Sequence, residues 1–286
     1  MERHELLSLC ARAIECGILA SAAIMKVYDT PFGYDIKEDG SPITIADKKS
    51  SQIISDALGK TGIQIINEEN KKVSFEIRRN WESFWLVDPL DGTKDFINRN
   101  DEFAINMALV KGTTPILGVI ISPVMQKVWW GLAGLGNFVF QWKENSAEID
   151  SKRLIEDSKP ININYQNVKP SILISRFHLD PETEAIIEEV MKRLPNLQVV
   201  TRGSSLKYCD IVEGRATIHF RYSSGTSEWD TAAGHAMLLA AGGNIFNIDN
   251  QEPLQYNKPD LKNPGFVAFS SREHANAILF EANQEN

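Results

Sequence analysis

The chain has 286 residues, room for one large or two modest domains, and its 43% hydrophobic and 24% charged content gives a sizeable core. A net charge of −8 argues against binding nucleic acid through bulk electrostatics. Its three cysteines, Cys10, Cys16 and Cys209, show neither C-x-x-C nor zinc spacing, which excludes a disulfide framework and points to a reducing cytosol.

The chain opens with Glu2, Arg3 and Glu5, a start that lacks signal-peptide layout. Leu6, Cys10, Ala13, Ile14, Gly17, Ile18 and Met25 then fall on one helical face, expected to be core, and no uninterrupted apolar run reaches transmembrane length. Thr44-Ile45-Ala46-Asp47 precedes a helix over 48–58 ended by Gly59, and reads as a capping box. A short apolar strand over 63–66 runs into Asn67-Glu68-Glu69, and a second over 84–87 runs into Asp88-Pro89-Leu90-Asp91-Gly92-Thr93. Strands follow over 104–109, 116–121, 127–130 and 138–141, the first two joined by a hairpin over 110–115. The polar stretch 142–160 reads as a boundary between an N-terminal α+β domain, 1–150, and a C-terminal α/β domain, 151–286.

Beyond the boundary the pattern alternates: strand 172–175, helix from Pro181, strand 198–200, helix near Ser204, strand 216–220. Trp229-Asp230-Thr231-Ala232-Ala233-Gly234 then opens a small-residue helix closed by Gly242-Gly243. A strand over 265–269 and a helix from Ser270, with Glu273 completing a capping box, finish the chain.

Asp88-Pro89-Leu90-Asp91-Gly92 alone reads equally as a surface turn, since Asp, Pro and Gly are turn residues. Its place at the end of an apolar strand changes the balance. Pro89 fixes its own backbone and biases Asp88 toward an extended conformation, so two carboxylates are held stiffly where they repel each other unless a cation intervenes. If the neighbouring strand ends alongside in Glu68-Glu69, one acidic pocket results, and oxygen ligands on a stiff frame suit Mg2+. Asp230 reads either as a helix-capping carboxylate or as a further ligand.

In order and spacing, Glu68-Glu69, the Asp88–Thr93 motif and Trp229–Gly234 resemble the signature set of the inositol monophosphatase superfamily, Mg2+-dependent and Li+-inhibited phosphatases of small metabolites. The resemblance runs from the first helix to Phe269 and implies an α/β (α+β) fold, a layered α/β/α/β/α sandwich of the sugar-phosphatase type with the site between its halves. It implies that Glu68, Asp88, Asp91, Asp230 and the Leu90 carbonyl hold two or three Mg2+ ions, Glu69 being the less defined of its pair. It also implies that Asp47 and the Thr93 hydroxyl orient and deprotonate the attacking water, while the Gly92 and Thr93 amides cradle the phosphate.

Gly203-Ser204-Ser205-Leu206-Lys207-Tyr208-Cys209, the strand ending in Arg221, Thr93–Arg99 and Ser175-Arg176-Phe177-His178 resemble the 3'(2'),5'-bisphosphate nucleotidase branch. The implied substrate is adenosine 3',5'-bisphosphate, with 3'-phosphoadenylyl sulfate as a relative, and His178, Ser204, Lys207 and Arg221 would contact the nucleotide and its non-scissile phosphate. Physical chemistry agrees, since a second dianion calls for charge-assisted donors that the Mg2+ ions do not supply; alternatively Ser204 caps a helix and Lys207 is a solvated lysine. Inositol-specific members tend to carry a glutamate seven residues before the Asp of their W-D motif, where this chain has Ser223. The competing readings are a broad inositol or sugar phosphate monoesterase and an inactive nucleotide-binding scaffold. The expected partner is a small molecule, with no nucleic acid and no transmembrane segment, for a monomer or weak dimer. The expected place is the cytoplasm, and the resemblance leaves room for peripheral attachment to the inner membrane.

Overall fold

Helix α1 (Arg3–Tyr28) buries Cys10, Ala13, Ile14, Gly17 and Ile18 along the expected face, with Leu6 and Met25 packed at its margin. By length and hydropathy α1 could cross a membrane, yet twelve of its residues are buried in the protein. Its Gly17 is required by contact, because a Cβ there would lie 2.2 Å from Ile121 Cδ1. The computed structural model describes residues 1–142, 151–164, 167–177, 180–222 and 225–276. The sequence reading omits the antiparallel hairpin of β1 (Tyr34–Ile36) and β2 (Pro42–Thr44), although Asp39-Gly40 signals its turn and Gly40 has φ +82°. Helix α2 (Ile45–Gly59) starts where Thr44 and Asp47 form the expected capping box.

A seven-stranded sheet follows in sequence order: β3 (Gln64–Asn67), β4 (Ser83–Asp91), β5 (Ala104–Lys111), β6 (Thr114–Ser122), β7 (Lys127–Leu132), β8 (Gly136–Gln141) and β9 (Lys159–Pro160). Only β3 and β4 pair in parallel; the other neighbours are antiparallel. Short helices α3 (Phe75–Arg78) and α4 (Thr93–Ile97) flank β4, and α5 (Ser151–Glu156) precedes β9. The described part of the polar stretch 142–160 therefore folds back on the first sheet, with Leu154 and Ile155 against the α1 layer.

The second sheet has the order β11-β10-β12-β14-β13. Its elements, in chain order, are β10 (Ser171–Ile174), α6 (Pro181–Arg193), β11 (Gln198–Thr201), α7 (Leu206–Val212), β12 (Ile218–Arg221), α8 (Glu228–Ala240), β13 (Asn244–Asn247), β14 (Phe266–Phe269) and α9 (Arg272–Ala275). The strand β13 escapes the sequence reading because only two of its four residues are apolar. The expected box at the last helix does not form: Ser271, not Ser270, is the N-cap and makes no side-chain cap bond. Ser270 is instead buried just past the end of β14, and its hydroxyl has no hydrogen-bond partner among the described residues.

Alternation along the strands sorts the core into layers. Trp85, Val87, Met107, Val119 and Trp130 face α1 and α2, whereas Phe84, Leu86, Ala108, Ile120 and Trp129 face α7 and α8. The second sheet repeats the division, with Leu173, Phe266 and Ala268 toward α7 and α8 and Ile172, Phe220 and Val267 toward α6. The result is the expected α/β/α/β/α sandwich. Helix α8 approaches β6 so closely that a Cβ on Gly118 would lie 2.1 Å from the Ala233 carbonyl oxygen.

Candidate active site

Parallel pairing of β3 and β4 ends both strands together. Asn67 is in register with Val87, the Glu68 amide donates to the Val87 carbonyl (3.0 Å), and Glu68 thereby stands beside Asp88. In an unbroken strand, residues three apart point to opposite faces, but β4 shifts register against β5 between Asp88 and Asp91. Pro89 sits in that irregularity, where no amide donor is required, and its carbonyl accepts from the Ser50 hydroxyl (2.7 Å). Asp88 and Asp91 consequently line one cleft of about 580 Å3.

Helix α8 brings the third acidic segment. Asp230 is a capping carboxylate, accepting from the Ser227 amide (2.6 Å) in a capping box, and it also reaches the cluster. Carboxylate oxygens of Glu68, Asp88 and Asp230 lie within 4.8 Å of one another. Burial, then repulsion from Glu68, Asp91 and Asp230, pushes Asp88 well above the carboxylate range. Asp230 is pushed up to about 8 by burial and by Asp91 and Glu68. Hard oxygen donors in mutual repulsion are a donor set for Mg2+, and the Leu90 carbonyl lies in the same turn.

Asp91 is also drawn elsewhere, accepting from the Ser205 amide (2.5 Å) and the Asn106 side chain (3.3 Å). Glu69 and Glu68 share the Lys37 ammonium, at 2.6 and 2.8 Å. Against burial, these two carboxylates hold Lys37 above the usual lysine range. Lys72 donates to the backbone carbonyls of Asn67 (2.9 Å) and Glu68 and lies 4.3 Å from the centre of the Trp229 ring.

The Thr93 hydroxyl lies 3.2 Å from Asp47 Oδ1 and 3.3 Å from the Leu90 carbonyl oxygen. Asp47 is buried and fixed through Oδ2 by the Thr44 amide (2.7 Å) and hydroxyl (2.6 Å). Burial raises its carboxyl, opposed by those donors and by Thr93. Gly92 opens α4 with φ +88°, and a Cβ there would lie 3.1 Å from Ser204 Cβ and 3.2 Å from the Glu102 carbonyl oxygen.

Across the cleft stand Ser204, Lys207 and Arg221. Lys207 is buried rather than solvated, donating to the carbonyls of Ser204 (2.7 Å) and Arg202 (3.2 Å), and burial pushes it down to about 8. Ser204, at φ +48°, lies just outside α7, whose N-cap is Ser205; its hydroxyl accepts a long bond from the Leu206 amide (3.4 Å). Arg221 is 8% exposed, and its Nε has no hydrogen-bond partner among the described residues. His178 and Ser223 lie outside the described residues.

Sequence reasoning misses Lys37, Lys72, Asn106 and Ser205. Asn106 had a signal, a polar side chain interrupting the apolar run of β5. Lys37 had only the neighbouring Asp39-Gly40 turn.

A family profile described as the inositol monophosphatase family matches residues 6–285. The 3'(2'),5'-bisphosphate nucleotidase CysQ of Salmonella typhimurium is 37% identical over 251 residues, covering 86% of this chain and 94% of that protein. The CysQ of Escherichia coli K12 is 38% identical over 252 residues with the same coverage. The crystal structure of CysQ from Bacteroides thetaiotaomicron superposes with a TM-score of 0.81 at 37% identity, covering 91% of this chain and 96% of that one. The SuhB protein of Bartonella henselae, at 19% identity and a TM-score of 0.71, shares the fold. The chain belongs to the inositol monophosphatase family, whose members are Mg2+-dependent phosphatases.

Proposed function

We propose that the chain is a Mg2+-dependent 3'(2'),5'-bisphosphate nucleotidase that hydrolyses the 3'-phosphate of adenosine 3',5'-bisphosphate to give AMP, and acts likewise on 3'-phosphoadenylyl sulfate. One observation carries the choice: a buried Lys207 and a buried Arg221 whose Nε has no hydrogen-bond partner among the described residues line the same cleft as the carboxylates. Cations buried without a salt bridge among the described residues are costly, and a dianionic phosphate is the partner that would compensate them. The names of the CysQ relatives support the same reading.

Glu68, Asp88, Asp91, Asp230 and the Leu90 carbonyl would hold two or three Mg2+ ions, and Li+ would inhibit. Bound Mg2+ supplies Lewis-acid polarisation of the phosphoryl oxygens and offsets the charge of the carboxylates. The protein's own part centres on Asp47 and Thr93. Thr93 donates to Asp47, which leaves its oxygen free to accept from water; as the water attacks in line, its proton passes to Thr93 and that of Thr93 to Asp47. A carboxylate raised by burial suits this role as base. The Gly92 and Thr93 amides face the phosphoryl oxygens, and Ser204, Lys207, Arg221 and His178 hold the nucleotide and its other phosphate. In this reading the chain divides near the 142–160 stretch into two domains that meet at the cleft, and acts as a monomer or weak dimer in the cytoplasm.

The test is product identity. Adenosine 3',5'-bisphosphate incubated with enzyme and Mg2+ is expected to yield adenosine 5'-phosphate on chromatography. Accumulation of adenosine 3'-phosphate would reverse the assignment of the two subsites.

A further inference from the structure

Glu102 lies outside the cleft, between α4 and β5, and its carboxylate joins three groups from the second half of the chain. Oε2 accepts from Arg176 Nη2 (2.8 Å) and from the Gly203 amide (2.8 Å), and Oε1 from Arg202 Nη1 (3.0 Å). Only 14% of the side chain is exposed. Burial opposes its ionisation, yet these donors bring it below the usual glutamate range.

Backbones meet at the same point. A Cβ on Gly203 would lie 2.7 Å from both Asp95 Oδ1 and Glu102 Cβ, and 2.8 Å from the Glu102 carbonyl oxygen. The turn fixed in this way is the one that continues into Ser204 in left-handed conformation, into the Ser205 amide bound to Asp91, and into Lys207. One segment thus carries a bond to the acidic cluster and the cation assigned to the second phosphate.

We infer that Glu102 is a positioning residue that sets the spacing between the scissile-phosphate subsite and the second-phosphate subsite, so that the enzyme favours bisphosphates over monophosphates. The inference rests on the proposed nucleotidase reading. Glu102 does not line the cleft and acts through Gly203 and Arg202. Without its charge the 202–205 turn loses one of its anchors, keeping the Ser205–Asp91 and Arg202–Asp210 contacts, and the distance of Lys207 from Asp91 is less closely fixed. A monophosphate, which needs only the acidic side, feels little of this.

The experiment compares adenosine 3',5'-bisphosphate with adenosine 3'-phosphate, which keeps base and scissile group but lacks the second phosphate, in wild type and Glu102→Gln. Glu102→Gln is expected to raise KM for the bisphosphate about tenfold with kcat within about threefold, and to change kcat/KM for the monophosphate by less than about threefold. Equal losses on both substrates would mark Glu102 as merely structural and overturn the inference, as would no change on either. Glu102→Asp, which keeps the charge with a shorter reach, covers the case in which the glutamine variant fails to fold; it is expected to shift bisphosphate KM in the same direction by less. A wild type indifferent to the second phosphate would refute the nucleotidase reading itself, a result distinct from a wild type that discriminates and a Glu102→Gln that still does.

Discussion

Replacing Lys207 with methionine is expected to make the apoprotein more stable and the enzyme worse, because Lys207 is buried and its ammonium is poorly compensated until an anion arrives. Its pKa falls from 10.5 to about 8 through burial, only partly offset by Asp91 and Asp95. At about 1.4 kcal/mol for each tenfold change in proton affinity, the buried charge costs about 3 kcal/mol of folding free energy. The variant also orphans the Ser204 and Arg202 carbonyls, at about 1 kcal/mol each, which leaves a net gain of about 1 kcal/mol. For a chain of this size that is a rise in Tm of about 2–4 °C. The sign of the pH dependence is specific. A lysine whose folded pKa lies below its unfolded value withholds stability at low pH, and that stability returns as pH rises from about 8 toward 10.5. The advantage of Lys207→Met, measured by urea unfolding in EDTA, is therefore largest near neutrality and shrinks through this window. In Mg2+, KM for the bisphosphate is expected to rise about 10- to 100-fold, the worth of a charge-assisted hydrogen bond to phosphate. A variant less stable than wild type at neutral pH, or a stability difference indifferent to pH, would refute the reasoning.

Asp91→Asn should lower turnover by about three orders of magnitude or more while leaving circular dichroism unchanged; near-normal turnover would remove Asp91 from the metal site. Thr93→Ala should cost about 100-fold or more in kcat with little change in KM, whereas Asp47→Asn should add to a similar loss about 1 kcal/mol of destabilisation from the weakened α2 capping box, read from thermal melts. Mg2+ at about 100 times its Kd should stabilise the fold by about 2.7 kcal/mol, reversed by EDTA, because it relieves repulsion among Glu68, Asp88 and Asp230; a Tm indifferent to Mg2+ would count against the site. Gly118→Ala should destabilise by about 1–3 kcal/mol with unaltered KM in what remains folded, since its methyl group would meet the Ala233 carbonyl.

The parts of the site legible in the sequence are those that a strand or helix end places by itself. Glu68 and Asp88 each follow an apolar run, so parallel neighbours had to bring them together. Thr44 and Asp47 mark a helix start, and the capping bond that gives them away also holds Asp47 beside Thr93. What stayed hidden depends on contacts between distant segments. Glu102 meets Arg176 and Arg202 from 74 and 100 residues away, and no local pattern announces such a pairing. Lys37 sits on a hairpin of two three-residue strands, too short for alternation to register. For Lys207 the sequence left two readings open, a phosphate contact and a solvated lysine, because burial belongs to the packing of α7 and not to its own residue type.

The central claim, a cleft built for a nucleoside bisphosphate, is tested most directly by phosphate release in Mg2+ from adenosine 3',5'-bisphosphate and from inositol 1-phosphate at equal concentration, each with and without Li+. Strong preference for the bisphosphate, lost in Li+, is the predicted result. Preference for the inositol ester would leave the acidic cluster its role but contradict the assignment of Lys207 and Arg221 to a second phosphate, and release from neither would contradict the enzyme itself.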